Sequence, residues 1–390
     1  MSNLINLKPF KDFLKSGSAG SVILLSCVAI SLLIANSSLG PAFQNLLDYN
    51  IGWESSSIEL RYPIISWIND GLMAIFFLLV GLEIKRELVE GELSSFKQAS
   101  LPIIAALGGV AFPALIYYTF NASLETQSGW AIPMATDIAF ALAVIGILGK
   151  SVPTSLKIML AALAIVDDLM AIIVIAIFYP TTDLVFTYLL YAGGIFAMLI
   201  AFNRLGMKNI VFYIIPGIFM WYFIHHSGIH ATIAGVLVAI TLPTTPDAKE
   251  SPLEKLEHLI MKPVNFLIMP LFALANTNIK FESGMVEGLF TPLGMGIVLG
   301  LFIGKPVGII IASWLSIKTG LSRMPDKAGW SHIVGVGMLA GIGFTMSIFI
   351  SILSFATPDL LAEAKFSILI GSLLSGIIGS FLLKSLHKRT

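Results

Sequence analysis

Trp130-Ala131-Ile132-Pro133-Met134-Ala135-Thr136-Asp137 and, far downstream, Gly335-Val336-Gly337-Met338-Leu339-Ala340-Gly341-Ile342-Gly343-Phe344-Thr345 are the two stretches on which the fold turns. Each lies inside an apolar run long enough to cross a bilayer, and each carries helix breakers in its interior: a proline one turn before an aspartate in the first, repeated glycines in the second. Interrupted helices in corresponding positions of two halves are the pattern of inverted-repeat transporters. With the third to fifth apolar runs as one repeat and the tenth to twelfth as the other, both stretches fall in the middle of their triplet. The triplets begin on opposite sides of the membrane, so one inverts the other. The competing reading is ordinary membrane helix, in which Gly and Pro serve only close packing.

The surrounding chain supports a membrane solvent. It has 390 residues, 56% hydrophobic and only 12% charged, more apolar than a soluble domain of that length. Runs able to cross roughly 30 Å of hydrocarbon occur at about 18–36, 63–84, 100–120, 129–148, 156–178, 184–203, 208–224, 229–243, 259–277, 292–315, 331–355 and 366–385. The reading is therefore an all-α polytopic membrane protein of about twelve transmembrane helices. When the ends of these runs are assigned alternately to two sides, Lys8, Lys11, Lys15, Lys85, Arg86, Lys97, Lys150, Lys157, Arg204, Lys208, Lys249, Lys255, Lys262, Lys318, Arg323, Lys327, Lys384, Lys388 and Arg389 share one side. Only Arg61, Lys280 and Lys365 fall on the other, and Lys305 stays inside a run. The positive-inside rule then puts both termini in the cytoplasm.

The first run lacks a small-residue cleavage site before a soluble domain and reads as a retained span. Most loops are short, leaving no room for a soluble catalytic domain. The longest external connection, about 36–62, contains Tyr49-Asn50-Ile51-Gly52-Trp53 and Ser57-Ile58-Glu59-Leu60-Arg61, a pattern that fits a small β-hairpin. The single cysteine, Cys27, excludes an internal disulfide and a cysteine metal site. A formal net charge of zero gives no reason to expect a nucleic-acid partner.

Asp137, Asp167, Asp168 and Lys305 fall deep inside predicted spans, where an unpaired charge costs at least roughly 2.5–3.5 kcal/mol. Consecutive Asp167 and Asp168 point about 100° apart on a helix, so they divide the labour: one binds an ion while the other faces a neighbouring helix. Lys305, in Gly304-Lys305-Pro306, is the one deeply buried cation, and Asp167 is its plausible partner. The proline before Asp137 frees carbonyls which, with the Thr136 hydroxyl, can act as oxygen ligands. Carboxylates and carbonyls without a His or Cys constellation suit a monovalent cation or a proton rather than zinc. The bland alternative is a buried polar network that only fixes packing.

Weaker signals lie at the span ends. Asp70 and Glu83 bracket the second span, and Lys85 and Arg86 beside Glu83 fit either a snorkelling interface or a gate. Glu257-His258 at the cytoplasmic start of the ninth span is a candidate pH-responsive pair, with solvated loop-edge charge as the alternative. His225, His226 and His230 read chiefly as interface anchors.

The motifs Trp67-Ile68-Asn69-Asp70-Gly71-Leu72-Met73-Ala74, Phe76-Phe77-Leu78-Leu79-Val80-Gly81-Leu82-Glu83, Ala135-Thr136-Asp137-Ile138-Ala139-Phe140, Ala164-Ile165-Val166-Asp167-Asp168, His230-Ala231-Thr232-Ile233-Ala234-Gly235, Pro270-Leu271-Phe272-Ala273-Leu274-Ala275-Asn276 and Gly304-Lys305-Pro306 occur in this order. On these residues the chain resembles the NhaA-type bacterial sodium/proton antiporter family over nearly its full length. The resemblance implies that Asp168 with Asp167 forms the ion-binding centre, that Asp137 and Thr136 sit where two discontinuous helices cross, and that Lys305 pairs with Asp167. It implies a core bundle at about 100–178 and 292–385 that moves against an interface bundle at about 18–90 and 184–277. It also implies that the outer hairpin joins two protomers and that Glu83, Arg86, Glu87, Glu257 and His258 take part in pH control. Family members usually carry a further His after the Glu-His pair, where this chain has Met261.

The function read from these observations is a secondary transporter, not an enzyme, in the bacterial inner membrane, with a role in sodium and pH homeostasis. It exchanges cytoplasmic Na⁺ or Li⁺ for external H⁺ by alternating access, electrogenically and under pH control, without a cofactor, as a homodimer in the lipid bilayer. Rival readings are an intramembrane aspartyl protease, whose Gly-x-Gly-Asp signature is absent, and a sodium-coupled organic-anion symporter. A channel suits the lysine-paired carboxylates less well.

Overall fold

Wherever water is excluded the backbone must satisfy its own polar groups, and an apolar chain does this most directly as helix. The computed structural model describes residues 19–55, 58–91, 93–149, 152–180, 183–244 and 251–387. Ser57 of the expected hairpin, the first residue of the first expected span, and the cations Lys8, Lys11, Lys15, Lys150, Lys249, Lys388 and Arg389 lie outside the described residues.

The chain runs α1 (Ala19–Ala35), α2 (Gly40–Leu47), β1 (Asn50–Ser55), β2 (Ile58–Pro63), α3 (Ile64–Val89) and α4 (Phe96–Asn121). A 3-10 segment, Glu125–Met134, then leads to α5 (Ile138–Ile147) and α6 (Thr154–Phe178). After them come α7 (Phe186–Arg204), α8 (Val211–His225), α9 (Ile233–Thr241), α10 (Pro252–Asn276), α11 (Pro292–Lys318), α12 (Trp330–Ala340), α13 (Phe344–Ser354) and α14 (Pro358–His387). Among the described residues, 8 helical stretches are long and apolar enough to cross a membrane, and 10 if each of two bent pairs counts as one span. The bent pairs are α1 with α2, at 115°, and α12 with α13, at 47°. The runs expected at about 208–224 and 229–243 form the shorter helices α8 and α9, of 15 and 9 residues.

β1 and β2 pair antiparallel from Asn50↔Pro63 to Ser55↔Ile58. The Trp67 indole donates to Ile51 O at 3.1 Å, tying the hairpin to α3. Helix α2, ahead of the hairpin, was not expected; Pro41 at its first turn suits a helix start.

Two helix pairs meet backbone to backbone. A Cβ on Gly308 of α11 would sit 2.1 Å from Gly108 O of α4, and one on Gly235 of α9 would sit 2.1 Å from Ala74 O of α3. Small residues allow this approach where apolar area gives no drive for helices to associate within lipid. Of three π-helical segments among the described residues, Trp67–Leu72 in α3, Val264–Ile268 in α10 and Gly300–Gly304 in α11, the last two each precede a proline, Pro270 and Pro306. A proline ring clashes with the carbonyl four residues back and offers it no N–H, so the local widening relieves that conflict. Lys305 is the first residue after the last of these segments.

The buried apolar side chains fall into two clusters. The larger runs through α3, α4, α5, α6, α10, α11, α12, α13 and α14. The smaller joins Leu78 and Leu82 of α3 to α7, α8, α9 and the start of α10.

Candidate functional site

Both interrupted stretches are broken at the residues that the sequence marks. The 3-10 segment ends at Met134, Ala135 is extended, and α5 begins after Asp137. Helix α12 ends at Ala340, and α13 resumes at Phe344 after Gly341, Ile342 and Gly343. Each break leaves orphan carbonyls on one side and orphan N–H groups on the other, with the partial charges of helix ends.

The two breaks satisfy one another. Asp137 N donates to Ile342 O at 2.6 Å. The Asp137 carboxylate takes Phe140 N on Oδ1 at 3.0 Å, and on Oδ2 both Thr345 N, at 3.0 Å, and the Thr345 hydroxyl. One carboxylate thus caps the N-termini of α5 and α13 together, which matches their positive ends. Ser347 Oγ donates to Ile132 O at 2.7 Å, and Ser372 Oγ on α14 accepts from Phe344 N at 3.1 Å.

Lys305 serves the opposite ends. Its ammonium donates to Met134 O, the last carbonyl of the 3-10 segment, and lies 2.7 Å from Asp167 Oδ2, with both side chains fully buried. The Thr136 hydroxyl lies 2.6 Å from the same Oδ2 and 2.8 Å from Ala340 O, the last carbonyl of α12. Asp168, one residue along α6, is 2% exposed. Its Oδ1 and Asp167 Oδ1 are both buried without a hydrogen-bond partner.

Thr136, Asp137, Asp167, Asp168 and Lys305 are therefore gathered around the paired breaks, but with unequal chemistry. Asp137 is saturated with donors, whereas Asp167 and Asp168 keep acceptor oxygens that face no proton, a costly arrangement unless something else occupies them. Carboxylate and carbonyl oxygens are what a hard monovalent cation or a proton would use.

Glu83, Arg86, Glu87, Glu257 and His258 are not part of this cluster. Arg86 bonds Glu257 Oε1 at 2.7 Å and Glu87 Oε1 at 3.3 Å, while Glu257 is buried and His258 is exposed. Glu83 lines a cavity of about 1080 Å³ with Gly20, Leu24, Ile138, Ala139, Met261 and Asn265. That cavity runs from the second acidic group to the residues directly after Asp137. Among the histidines, His226 meets the Tyr62 hydroxyl at 3.3 Å and His225 stacks on Trp221.

Thr345, Ser347 and Ser372 were not assigned from sequence. Thr345 lies in the glycine-rich stretch quoted above, so its position was marked although its role was not. Ser372 carries no local signal, because a serine on a membrane helix most often bonds its own backbone.

The family model described as Na+/H+ antiporter 1 matches residues 11–383. The chain is 61% identical over 389 residues to the Na(+)/H(+) antiporter NhaA 2 of Flavobacterium johnsoniae, covering 100% of this chain and 95% of that protein. It is 49% identical over 381 residues to the Na(+)/H(+) antiporter NhaA of Flavobacterium psychrophilum, with 98% and 97% covered. The Na(+)/H(+) antiporter NhaA of Shewanella frigidimarina is 44% identical over 386 residues, with 98% of each covered.

Proposed function

The chain belongs to the Na+/H+ antiporter 1 family, and from that membership we propose how it works. It is a multi-pass membrane transporter rather than an enzyme, and it exchanges Na⁺ for H⁺. Asp167 and Asp168 carry the cargo: in one state they hold protons, in the other they are ionised and bind Na⁺ or Li⁺. The observation that supports this reading is the pair of buried carboxylate oxygens without partners, beside two broken helices and a buried lysine. Proton and cation compete for the same oxygens, so lowering the pH weakens cation binding by linkage alone. Two acids serving one monovalent ion make the exchange electrogenic.

In this reading the twelve apolar runs all span the inner membrane, both termini are cytoplasmic, and the triplets around the breaks form an inverted repeat. A core at about 100–178 and 292–385 rocks against an interface bundle at about 18–90 and 184–277, exposing the site to each side in turn. The cavity between α5 and helices α1, α3 and α10 supports such a boundary. Asp137 and Thr136 hold the crossing, Lys305 pairs with Asp167, and Glu83, Arg86, Glu87, Glu257 and His258 set the pH response. The hairpin joins two protomers.

The test is dequenching of a pH dye in everted vesicles on adding Na⁺ or Li⁺, for the native chain and Asp168→Asn. Dequenching that the substitution abolishes is the expected result. Normal exchange in Asp168→Asn rules out this site.

A further inference from the structure

Thr136 holds two acceptors with one proton. Its hydroxyl oxygen lies within hydrogen-bond distance of Asp167 Oδ2, at 2.6 Å, and of Ala340 O, at 2.8 Å, and a hydroxyl donates a single hydrogen. All three residues are buried. The proton therefore goes to one acceptor at a time, and the charge on Asp167 decides which.

We infer that Thr136 is a two-position donor that frees the lone pair of the Ala340 carbonyl facing it for a cation while Asp167 is ionised. This rests on the reading of Asp167 and Asp168 as the ion site. With Asp167 ionised, Thr136 donates to the carboxylate, because a charge-assisted bond outcompetes a neutral one. The Ala340 carbonyl, at the negative end of α12, then has a free lone pair turned toward the site. A cation bound to the carboxylates completes its oxygen shell there, as helix-end carbonyls at broken helices are suited to do. With Asp167 protonated on Oδ2, the acid O–H donates to Thr136, and Thr136 turns its own proton to Ala340. The carbonyl lone pair that faces Thr136 is then occupied at the moment the carboxylate is protonated.

The charged groups around Thr136 are consistent with such a device. Lys305 reaches in from α11 and holds Asp167 Oδ2 and Met134 O, Asp168 follows on α6, and Asp137 is occupied by Phe140 and Thr345. Glu83 on α3 stands outside this group, lining the cavity that reaches Ile138 and Ala139. Among the described residues neither Lys305 nor Asp137 bonds the Ala340 carbonyl, which leaves Thr136 as its switchable partner.

Cys27 is the one cysteine in the chain, which allows a single labelled carbonyl. A Cys27→Ser, Ala340→Cys variant made with carbonyl-¹³C cysteine reports position 340 alone in infrared difference spectra of the full-length protein in proteoliposomes. Without Na⁺, raising the pH is expected to move the labelled band up in frequency as the hydrogen bond is lost, and adding Na⁺ at high pH to move it back down. Thr136→Val in this background is expected to abolish the pH-driven shift. A band that ignores pH, or a shift that survives Thr136→Val, overturns the inference. If the cysteine at 340 is not tolerated, kinetics on the otherwise native chain decide: Thr136→Val is expected to raise the KM for Na⁺ about tenfold, or about 1.4 kcal/mol, with kcat within about twofold, and Thr136→Ser to restore it. An unchanged KM in Thr136→Val overturns the inference. Asp168→Asn run in parallel separates the two readings: retained exchange there overturns the ion site and the switch together, whereas lost exchange with an unmoved 340 band overturns the switch alone.

Discussion

Asp137 and Asp168 are both carboxylates sealed from solvent, yet one is a structural cap and the other an open acceptor. The difference lies in donors: Phe140 N, Thr345 N and the Thr345 hydroxyl all point at Asp137, and Asp168 Oδ1 has none. Removing the cap strands buried N–H groups at roughly 1–3 kcal/mol each, whereas removing the open acid strands nothing. Thermal unfolding followed by tryptophan fluorescence in detergent is therefore expected to show Asp137→Ala well below the native chain and Asp168→Ala at or above it. Lys305 is a third case. Lys305→Met leaves Asp167 charged, buried and unpaired, a loss of about 3–5 kcal/mol, and adding Asp167→Asn is expected to recover most of the lost stability in the same assay.

Helices here are shaped as much by their interruptions as by their runs. The π segment Gly300–Gly304 precedes Pro306 and delivers Lys305 to the breaks. The contact between Gly108 and Gly308 lets α4 and α11 touch through their backbones, so Gly308→Val is expected to force them apart and lower yield and thermal stability more than Gly146→Val. At Gly146 a Cβ would meet nothing within 4 Å. The hairpin has two free edges, and its Trp53 is 70% exposed, a surface that proteins usually cover. If the hairpin joins two protomers as proposed, deleting residues 50–63 and joining the ends with a short flexible linker is expected to convert dimers to monomers in native mass spectrometry. A dimer that survives the deletion removes the hairpin from the interface.

Alternating access requires two bodies that part on one side while closing on the other. Phe349 on α13 lies 5.4 Å from Phe77 on α3 and 6.2 Å from Phe272 on α10, ring centre to ring centre, and so bridges the proposed core and interface bundles. In a Cys27→Ser background, Phe77→Cys with Phe349→Cys is expected to arrest exchange when oxidised and to release it on reduction. Unimpaired exchange in the oxidised pair places the moving boundary elsewhere. Electrogenic exchange also couples to voltage at about 2.3 kcal/mol per net charge per 100 mV. Proteoliposomes with an imposed potential are expected to exchange faster when the negative side is the one protons enter, and a rate indifferent to potential refutes two-for-one stoichiometry.

Much of this was written in the chain itself. Apolar length marks where the long helices lie, though two of the twelve expected runs form only the shorter α8 and α9; Pro133 and the glycines around Ile342 mark where two helices break, and Asp137, Asp167, Asp168 and Lys305 are conspicuous because hydrocarbon tolerates few charges. Each of these signals is local, so one dimension suffices to read it. The sequence did not tell saturated Asp137 from unsatisfied Asp168, nor find Ser372 beneath Phe344 or the Ala340 carbonyl within reach of Thr136. Those facts depend on donors and acceptors brought together from distant parts of the chain, such as Thr345 on Asp137 across 208 positions. Only the folded packing of α6, α11, α12, α13 and α14 decides which oxygen has a proton facing it and which has none.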